Sequence, residues 1–290
     1  MRIKLPVIFF PVLAALLLFS CNNKKSSKGN LVIIGGGKRP DYIIEKIVQL
    51  SGGEDAEIVI VPFASSQPEE TALYQKRQFQ EYNPKRVDII LKTETSVDSD
   101  INLMKFTTAT GIFFSGGDQR RLQKILTGTE VLAKIKSIYR NGGLISGTSA
   151  GAAVMSKIMI TGDELLNKDS TRSFISIQEG NIDTGEGFGF INDAIIDQHF
   201  IKRKRYNRLI SLVLEHPELL GIGIDESTAI WVKPDSTFEV LGESSVVVLD
   251  ASGSKNIQTD EDMNISGDRL KMHIMQSGQM YDLRKKSLVR

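Results

Sequence analysis

GIFFSGGDQ (111–119) and GLISGTSAG (143–151) decide the fold of this chain, because each is an apolar run that leads into glycine and serine. Three earlier runs are equally rich in β-branched residues: LVIIGGG (31–37), EIVIVPFAS (57–65) and RVDIILK (86–92). Between the runs, apolar residues recur at helical spacing over 42–50, 68–82, 102–106 and 119–139. Strands that alternate with helices predict an α/β fold with a doubly wound, mostly parallel sheet. Ligands bind such sheets beyond the carboxyl ends of the strands, where most of these runs place their glycines.

The pattern changes after about residue 220 to short apolar runs joined by Asp, Ser and Gly turns, such as TAIWVK (228–233) and SVVVLD (245–250). These runs predict a β-rich C-terminal part from about residue 228 that completes the same domain, so residues 31–290 form a single α/β domain. The segment 160–186 is polar and irregular, and TGDE (161–164) has the form of a helix cap.

The charge of the chain is balanced, with 36 Lys and Arg against 35 Asp and Glu in 290 residues. This balance, with 24% charged and 41% hydrophobic residues, is typical of a globular domain and argues against a disordered tail or a polyanion-binding protein. We therefore expect no nucleic-acid partner. A single cysteine cannot form an intrachain disulfide, so core packing must supply the stability.

The first 20 residues have the basic start and apolar run of a secretory signal peptide. Leu18-Phe19-Ser20-Cys21 resembles a bacterial lipobox, in which the signal is removed and the cysteine is lipidated. The pattern predicts a membrane-bound lipoprotein of the bacterial cell envelope, periplasmic or on the outer membrane, anchored at Cys21 with 21–30 as a polar tether. A plain secreted protein and an uncleaved anchor are the alternatives.

The sharpest motif in the sequence is GTSAG (147–151), between an apolar strand and a stretch compatible with a helix. A serine on a tight turn from strand to helix projects its hydroxyl into the cleft, and flanking glycines permit the crowded backbone. The amide of Ala150 can then point at an oxyanion that develops on a bound carbonyl. The motif predicts Ser149 as a nucleophile, with a helix cap or a phosphate-binding loop as the alternative.

A serine nucleophile needs a neighbouring base, and the chain contains three histidines. His216 lies beside a proline near the end of a helical stretch, and His273 lies in an alternating strand pattern. His199 follows an apolar run in IIDQHF (195–200), as a residue at a strand end that opens into a cleft would. We therefore expect His199 to be the base.

The acid that orients the base is expected in GIDEST (223–228), again at the end of an apolar run. Asp225 or Glu226 can fill this role, and only one does so, because neighbours on a strand face opposite sides. Ser149, His199 and this acid follow a different chain order from an α/β-hydrolase, which would run serine, acid, histidine and would need His273.

Several motifs together resemble the cyanophycinase and dipeptidase E family of serine peptidases: FFSGGDQ (113–119), GTSAGA (147–152), GFGFI (187–191), DQHFIKRKRYNRL (197–209) and GIGIDESTA (221–229). The similarity covers roughly residues 31 to 250. It implies a flavodoxin-like, class I glutamine amidotransferase-like fold. It also implies Ser149 as nucleophile, His199 as base and Glu226 as orienting acid, with Asp225 turned away.

The resemblance implies further parts of the site. The backbone amides of Gly117, Asp118 and Ala150 would form the oxyanion hole. The implied substrate-binding residues are Gln119, Asp197, Gln198, Arg203, Arg205 and Arg208. Forked guanidinium groups bind carboxylates bidentately, which suits an aspartate-rich peptide, whereas a solvated helix face is the alternative for this basic run.

The implied reaction is exopeptidase hydrolysis of aspartyl peptide bonds by a homodimer, without a cofactor or metal. Cyanophycinase-like enzymes release β-aspartyl-arginine dipeptides from cyanophycin, a polyaspartate with arginine on its β-carboxyls. Other relatives cleave Asp-X or isoaspartyl dipeptides, which is the alternative within the family.

Two functions of other classes remain open at the level of sequence. An esterase of the α/β-hydrolase type would combine GTSAG (147–151) with a membrane anchor. A non-catalytic lipoprotein would bind an anion or a peptide through the backbone amides of GGGK (35–38) and GGDQ (116–119).

Overall fold

A computed structural model describes residues 28–92, 96–166 and 175–289 of the protein. The predicted signal peptide and the predicted lipidation site Cys21 lie outside these ranges. The described helices are α1 (Asp41–Leu50), α2 (Pro68–Gln80), α3 (Asp100–Lys105), α4 (Gln119–Leu126), α5 (Glu130–Arg140), α6 (Ala150–Ala153) and α7 (Tyr206–Glu215). The described strands are β1 (Leu31–Ile34), β2 (Glu57–Val61), β3 (Arg86–Ile89), β4 (Gly111–Phe114), β5 (Leu144–Thr148), β6 (Ile158–Glu164), β7 (Ile182–Glu186), β8 (Ala194–Gln198), β9 (Leu220–Ile224), β10 (Thr228–Val232), β11 (Thr237–Gly242), β12 (Val246–Asp250), β13 (Gln258–Thr259), β14 (Ile265–Ser266), β15 (Lys271–Met275), β16 (Met280–Asp282) and β17 (Ser287–Leu288).

A nine-stranded sheet in the order β17-β16-β11-β10-β1-β5-β4-β2-β3 forms the centre of the molecule. From β1 to β3 in this order the strands pair in parallel. Every residue of β1, β2, β4 and β5 is buried, which explains why these strands read as continuous apolar runs. Their carboxyl ends meet at one edge of the sheet.

Helices cover both faces of the central sheet. On one face, α1 and α2 bury Ile47 and Phe79 in a cluster with Phe113 of β4. On the other face, α4 and α5 bury Leu122 and Ile135. The predicted α/β class, with a doubly wound and mostly parallel sheet, is confirmed.

The C-terminal strands divide between two sheets. β10 pairs antiparallel with β1 and continues through β11, β16 and β17, so it extends the central sheet. β9, β12 and β15 join β8 in a four-stranded sheet, whose two faces pack against the central core and against α7. The predicted β-rich C-terminal part is confirmed. The connection from β9 to β10 therefore crosses from one sheet to the other.

The predicted single helix over 119–139 is wrong, because α4 and α5 are separate helices. Gly128 has a φ of 80°, which a continuing helix cannot accommodate. Thr129 then caps α5 by accepting a hydrogen bond from the Leu132 amide at 3.2 Å.

The expectation of an irregular segment over 160–186 is also wrong in part, although residues 167–174 of it lie outside the described ranges. β6 and β7 pair antiparallel in a small sheet of their own. The predicted helix cap at 161–164 lies inside β6, so no helix begins there. In the described parts of the chain, no helix combines the length and the apolar character needed to cross a bilayer.

Candidate active site

Ser149 lies in the turn between β5 and α6, at the carboxyl edge of the central sheet. Its φ of 54° and ψ of −110° belong to a conformation that L-residues rarely adopt. A Cβ added to Gly151 would lie 2.3 Å from the carbonyl oxygen of Phe114, so only glycine fits beside β4. This close packing explains the glycine on the helix side of the G-x-S-x-G motif.

Three side chains converge at this edge. Ser149 Oγ lies 2.9 Å from His199 Nε2, and His199 Nδ1 lies 2.6 Å from Glu226 Oε1. A carboxylate can only accept, so Nδ1 carries the hydrogen and Nε2 accepts the hydroxyl hydrogen of Ser149. The arrangement has the chemistry of a nucleophile, a base and an acid that orients the base.

The three residues come from different parts of the fold. Ser149 follows β5 of the central sheet, and His199 follows β8 of the four-stranded sheet. Glu226 lies in the connection from β9 to β10, which links the two sheets. The candidate site is therefore built where the two sheets meet.

Asp225, the neighbour of Glu226, is turned away from the imidazole, as the family resemblance implies. Its carboxylate accepts hydrogen bonds from the Lys202 amide at 2.9 Å and from Ser244 Oγ at 2.8 Å. Asp225 therefore ties together two loops beside the site and leaves the contact with His199 to Glu226.

The glycine turn after β1 encloses the imidazole, a role that the sequence interpretation missed. The His199 amide donates to the Gly35 carbonyl at 2.8 Å, and the Ser227 amide donates to the Gly36 carbonyl at 2.9 Å. A Cβ added to Gly36 would lie 2.3 Å from His199 Cε1. Three consecutive glycines at the end of a parallel strand were the signal for this close approach.

Burial lowers the pKa of the His199 imidazole, and the nearby charges of Arg203 and Arg205 lower it as well. The hydrogen bond from His199 to Glu226 raises the pKa and does not outweigh these effects. The side chain of His199 is only 9% exposed. The imidazole is therefore neutral at pH 7 and able to accept a proton from Ser149.

The predicted oxyanion hole is corrected at one of its three positions. The Asp118 amide donates to the Ala64 carbonyl at 2.9 Å, so it is not free to bind an oxyanion. Among the described residues, none accepts a hydrogen bond from the amides of Gly117 or Ala150. The turn faces the nucleophile, since a Cβ added to Gly116 would lie 3.4 Å from Ser149 Cβ.

Gln119, predicted to line the substrate pocket, is held by β6. Its Nε2 donates to the carbonyls of Ile160 and Thr161, at 2.8 Å to the first. The side-chain amide nitrogen therefore joins the start of α4 to β6 and is already engaged within the protein.

Asp197 and Arg208 do not reach a substrate, and their prediction as substrate-binding residues is wrong. Arg208 Nε donates to Asp197 Oδ2 at 2.7 Å, and Arg208 Nη2 donates to Asp197 Oδ1. The two side chains are 1% and 0% exposed. The physical reason is that α7 turns Arg208 inward onto the end of β8, where this ion pair is sealed from solvent.

Arg205 contacts Gln198, the residue that precedes His199. Arg205 Nη1 donates to the Gln198 carbonyl at 2.6 Å and so holds the peptide that leads into His199. Burial, followed by repulsion from Arg208, lowers the pKa of Arg205 to about 10. The Gln198 side-chain oxygen is buried, and among the described residues none donates a hydrogen bond to it.

Arg203 is the exposed member of the three predicted arginines. It lies in the turn before α7 and not on the helix itself. Its backbone amide donates to the His199 carbonyl at 3.0 Å, and its charge lowers the pKa of the imidazole.

The alternative with His273 as the base is wrong. His273 lies in β15, and its ring is 5.5 Å from the ring of Tyr281. His199 holds the contact with Ser149 instead. Within 28–92, 96–166 and 175–289, no group of three or more His, Cys, Asp or Glu side chains is placed to hold a metal ion.

Known proteins resemble this chain over most of its length. Residues 31–240 match the profile of peptidase family S51. The cyanophycinase of Synechococcus elongatus is 34% identical over 265 residues, which cover 89% of this chain and 80% of the relative. The cyanophycinase of Trichormus variabilis is 32% identical over 272 residues, which cover 90% of this chain and 88% of the relative.

Two solved structures share the fold. A peptidase from an acI-B1 actinobacterium superposes with a TM-score of 0.62 at 21% identity, covering 89% of this chain and 98% of that one. A peptidase E-like protein from Listeria monocytogenes gives a TM-score of 0.51 at 16% identity, covering 75% and 100%. With the family profile and the relatives above 30% identity, the chain belongs to peptidase family S51 and is a serine peptidase.

Proposed function

We propose that this protein is an exopeptidase that hydrolyses the aspartyl backbone of cyanophycin and releases β-aspartyl-arginine dipeptides. The observation that carries the proposal is the contact of Ser149 with His199 at 2.9 Å and of His199 with Glu226 at 2.6 Å. The named function of the cyanophycinase relatives, which match about nine-tenths of the chain, supports the substrate.

The first half of the reaction forms an acyl-enzyme. Ser149 Oγ attacks the carbonyl carbon of an aspartyl peptide bond while its proton moves to His199 Nε2. Glu226 stabilises the imidazolium through Nδ1. The amides of Gly117 and Ala150 donate to the oxyanion, and the C–N bond then breaks as His199 gives its proton to the leaving amine.

The second half releases the acyl group. Water enters in place of the leaving amine, and His199 Nε2 takes one of its protons as the oxygen attacks the ester carbon. The tetrahedral intermediate collapses, the proton returns to Ser149 Oγ, and the product leaves with a new carboxylate. His199 Nε2 takes up and releases every proton that is transferred in these two half-reactions.

The charges around the site suit a substrate that carries carboxylates. Arg203 is exposed, Arg205 is 11% exposed, and the charges of both lower the pKa of the His199 imidazole. Each unit of cyanophycin presents the carboxylate of its arginine. We propose that Arg203 binds such a carboxylate, because guanidinium groups pair with carboxylates through two parallel hydrogen bonds.

Product analysis tests the proposal. Incubation with cyanophycin should release β-aspartyl-arginine, detected by mass spectrometry, and Ser149→Ala should abolish this release without lowering the melting temperature. Release by the Ser149→Ala protein would contradict the serine mechanism. If the protein cleaves Asp-X or isoaspartyl dipeptides but leaves cyanophycin uncleaved, the alternative within the family is favoured. If it cleaves none of the three substrates, a binding protein is favoured.

We propose that the chain is a lipoprotein of the bacterial cell envelope, anchored at Cys21. The lipobox-like sequence at 18–21 supports this location. Expression in a bacterium should place the protein in the membrane fraction and Cys21→Ser in the soluble fraction. Equal partitioning of the two proteins would contradict lipidation.

We also propose a homodimer, as the family resemblance implies. The edge strand β15 exposes the apolar side chains of Met272 and Ile274, at 53% and 62%, and their exposure supports contact with a second copy. Light scattering of the protein without its signal peptide should give twice the chain mass, and Ile274→Lys should reduce it to one chain. A monomer in both cases would contradict the dimer.

A further inference from the structure

Arg39 is a half-buried arginine without a counter-ion. Its Nη2 donates to Gln78 Oε1, and its guanidinium carbon lies 5.7 Å above the centre of the Phe113 ring. Nε is buried and has no hydrogen-bond partner among the described residues. Among the residues that the structure describes, no carboxylate oxygen lies within 4.0 Å of a nitrogen of this guanidinium, the distance limit for an ion pair.

A cation in such surroundings is unusual on energetic grounds. Burial is the largest influence on Arg39 and lowers its pKa. Desolvated charges are generally paired, because an isolated one loses its hydration without compensation. Arg208 illustrates the usual solution, since it is 1% exposed and pairs with Asp197. The positive charge of Arg39 is therefore available to bind an anion from outside the protein.

Arg39 follows the glycine turn that forms one wall of the catalytic site. A Cβ added to Gly37 would lie 2.8 Å from Glu226 Cβ, so the chain two residues before Arg39 touches the acid. Phe113, over whose ring the guanidinium lies, is in β4, and β4 leads to Gly116, whose added Cβ would lie 3.4 Å from Ser149 Cβ. Arg39 therefore lies beside the carboxyl edge, between the segments that contact the acid and the nucleophile.

We propose that Arg39 is a specificity-determining residue that binds a carboxylate of the substrate. This inference rests on the proposed hydrolysis of aspartyl peptides. The terminal nitrogens Nη1 and Nη2 face the carboxylate end-on, while Gln78 and the Phe113 ring hold the guanidinium in place. The carboxylate belongs either to an arginine attached to the polymer or to the C-terminus of the polymer. Peptides amidated at one or the other position distinguish these two sources.

The test combines a change in the protein with a change in the substrate. Wild type, Arg39→Met and Arg39→Lys are assayed on three synthetic β-aspartyl-arginine peptides: one with all carboxylates free, one with a C-terminal amide and one with arginine amides. Wild type should lose about 10- to 100-fold in kcat/KM on one of the amidated peptides, as expected for a hydrogen-bonded charge. Arg39→Met should cleave that amide and the free peptide equally, and Arg39→Lys should recover part of the difference.

The control is Arg140→Met, since Arg140 is an exposed residue that ends α5 and lies outside the site. It should keep the wild-type discrimination. A purely structural role for Arg39 predicts that Arg39→Met slows cleavage of all three peptides by the same factor. That result, or unchanged discrimination in Arg39→Met, would overturn the proposed role.

A binding measurement keeps this inference separate from the proposed function. In the Ser149→Ala background, calorimetry compares the affinity for the free peptide and for its amides, with and without Arg39→Met. Absence of turnover by wild type would overturn the proposed function, and the affinities would still decide the role of Arg39. If wild type turns over the peptide and the measured affinities change neither with amidation nor with Arg39→Met, only the role of Arg39 would be overturned.

Discussion

Replacing Gly36 by alanine should lower the catalytic rate of a protein that still folds. A Cβ at this position would lie 2.3 Å from His199 Cε1 and 2.5 Å from His199 Nε2. Ordinary contacts of a Cβ begin at 3.4 Å, so the imidazole must retreat by about 1 Å. The same change places alanine at a φ of 118°, which costs about 1–3 kcal/mol of stability.

The displacement of the imidazole determines the effect on rate. The hydrogen bond between Ser149 Oγ and His199 Nε2 is 2.9 Å long. Lengthening it by about 1 Å takes it beyond hydrogen-bonding distance. A misplacement of this size lowers kcat by about 100-fold.

Gly52→Ala is the matched control for the backbone strain. Gly52 has a φ of 122°, close to that of Gly36, and its added Cβ would meet nothing nearer than 3.5 Å. Dipeptide release and thermal melting are measured for both variants. Both should melt at lower temperature than wild type, and only Gly36→Ala should lose activity. A folded Gly36→Ala protein with wild-type kcat would refute the tight enclosure of the imidazole.

Three further changes have defined outcomes. Glu226→Gln should lower kcat by about 10⁴-fold, because the amide no longer stabilises the imidazolium; a kcat near wild type would remove Glu226 from the mechanism. Burial holds the pKa of His199 below its ordinary 6.5, so kcat/KM should fall only as the pH drops below that value and the base becomes protonated. Arg203→Met removes a charge that lowers this pKa and should move the acid limb of the pH profile to higher pH; a shift to lower pH would contradict the placement of Arg203. Arg208→Met leaves the buried carboxylate of Asp197 without its closest counter-ion and should lower the free energy of unfolding in urea by about 3 kcal/mol; an unchanged midpoint would show that the pair adds no stability.

The parallel sheet was predictable from the sequence because strands buried on both faces leave continuous apolar runs, as in β1 and β4. The position of Ser149 was predictable because its strained turn requires glycine nearby. His199 and Glu226 were harder to infer, since they follow β8 and β9 of the four-stranded sheet, whereas Ser149 follows the central sheet. Only their places at strand ends, with the family resemblance, marked them.

The errors have physical causes that a linear pattern does not reveal. The family resemblance implied that Arg208 binds the substrate, whereas α7 begins at Tyr206 and buries Arg208 against Asp197. The Asp118 amide was expected to be free, but its partner is the carbonyl of Ala64, on a separate strand end. Contacts of this kind depend on the tertiary packing of segments distant in sequence.

A fluorophosphonate label tests the central claim most directly, because it reacts with a serine only where a base has activated the hydroxyl. Peptide mapping by mass spectrometry should find one adduct, on the peptide that contains Ser149, and hydrolysis should stop in proportion to labelling. His199→Ala should remove the adduct while the protein stays folded. An active protein that hydrolyses aspartyl peptides with Ser149 unlabelled, or with the adduct on another serine, would contradict the account.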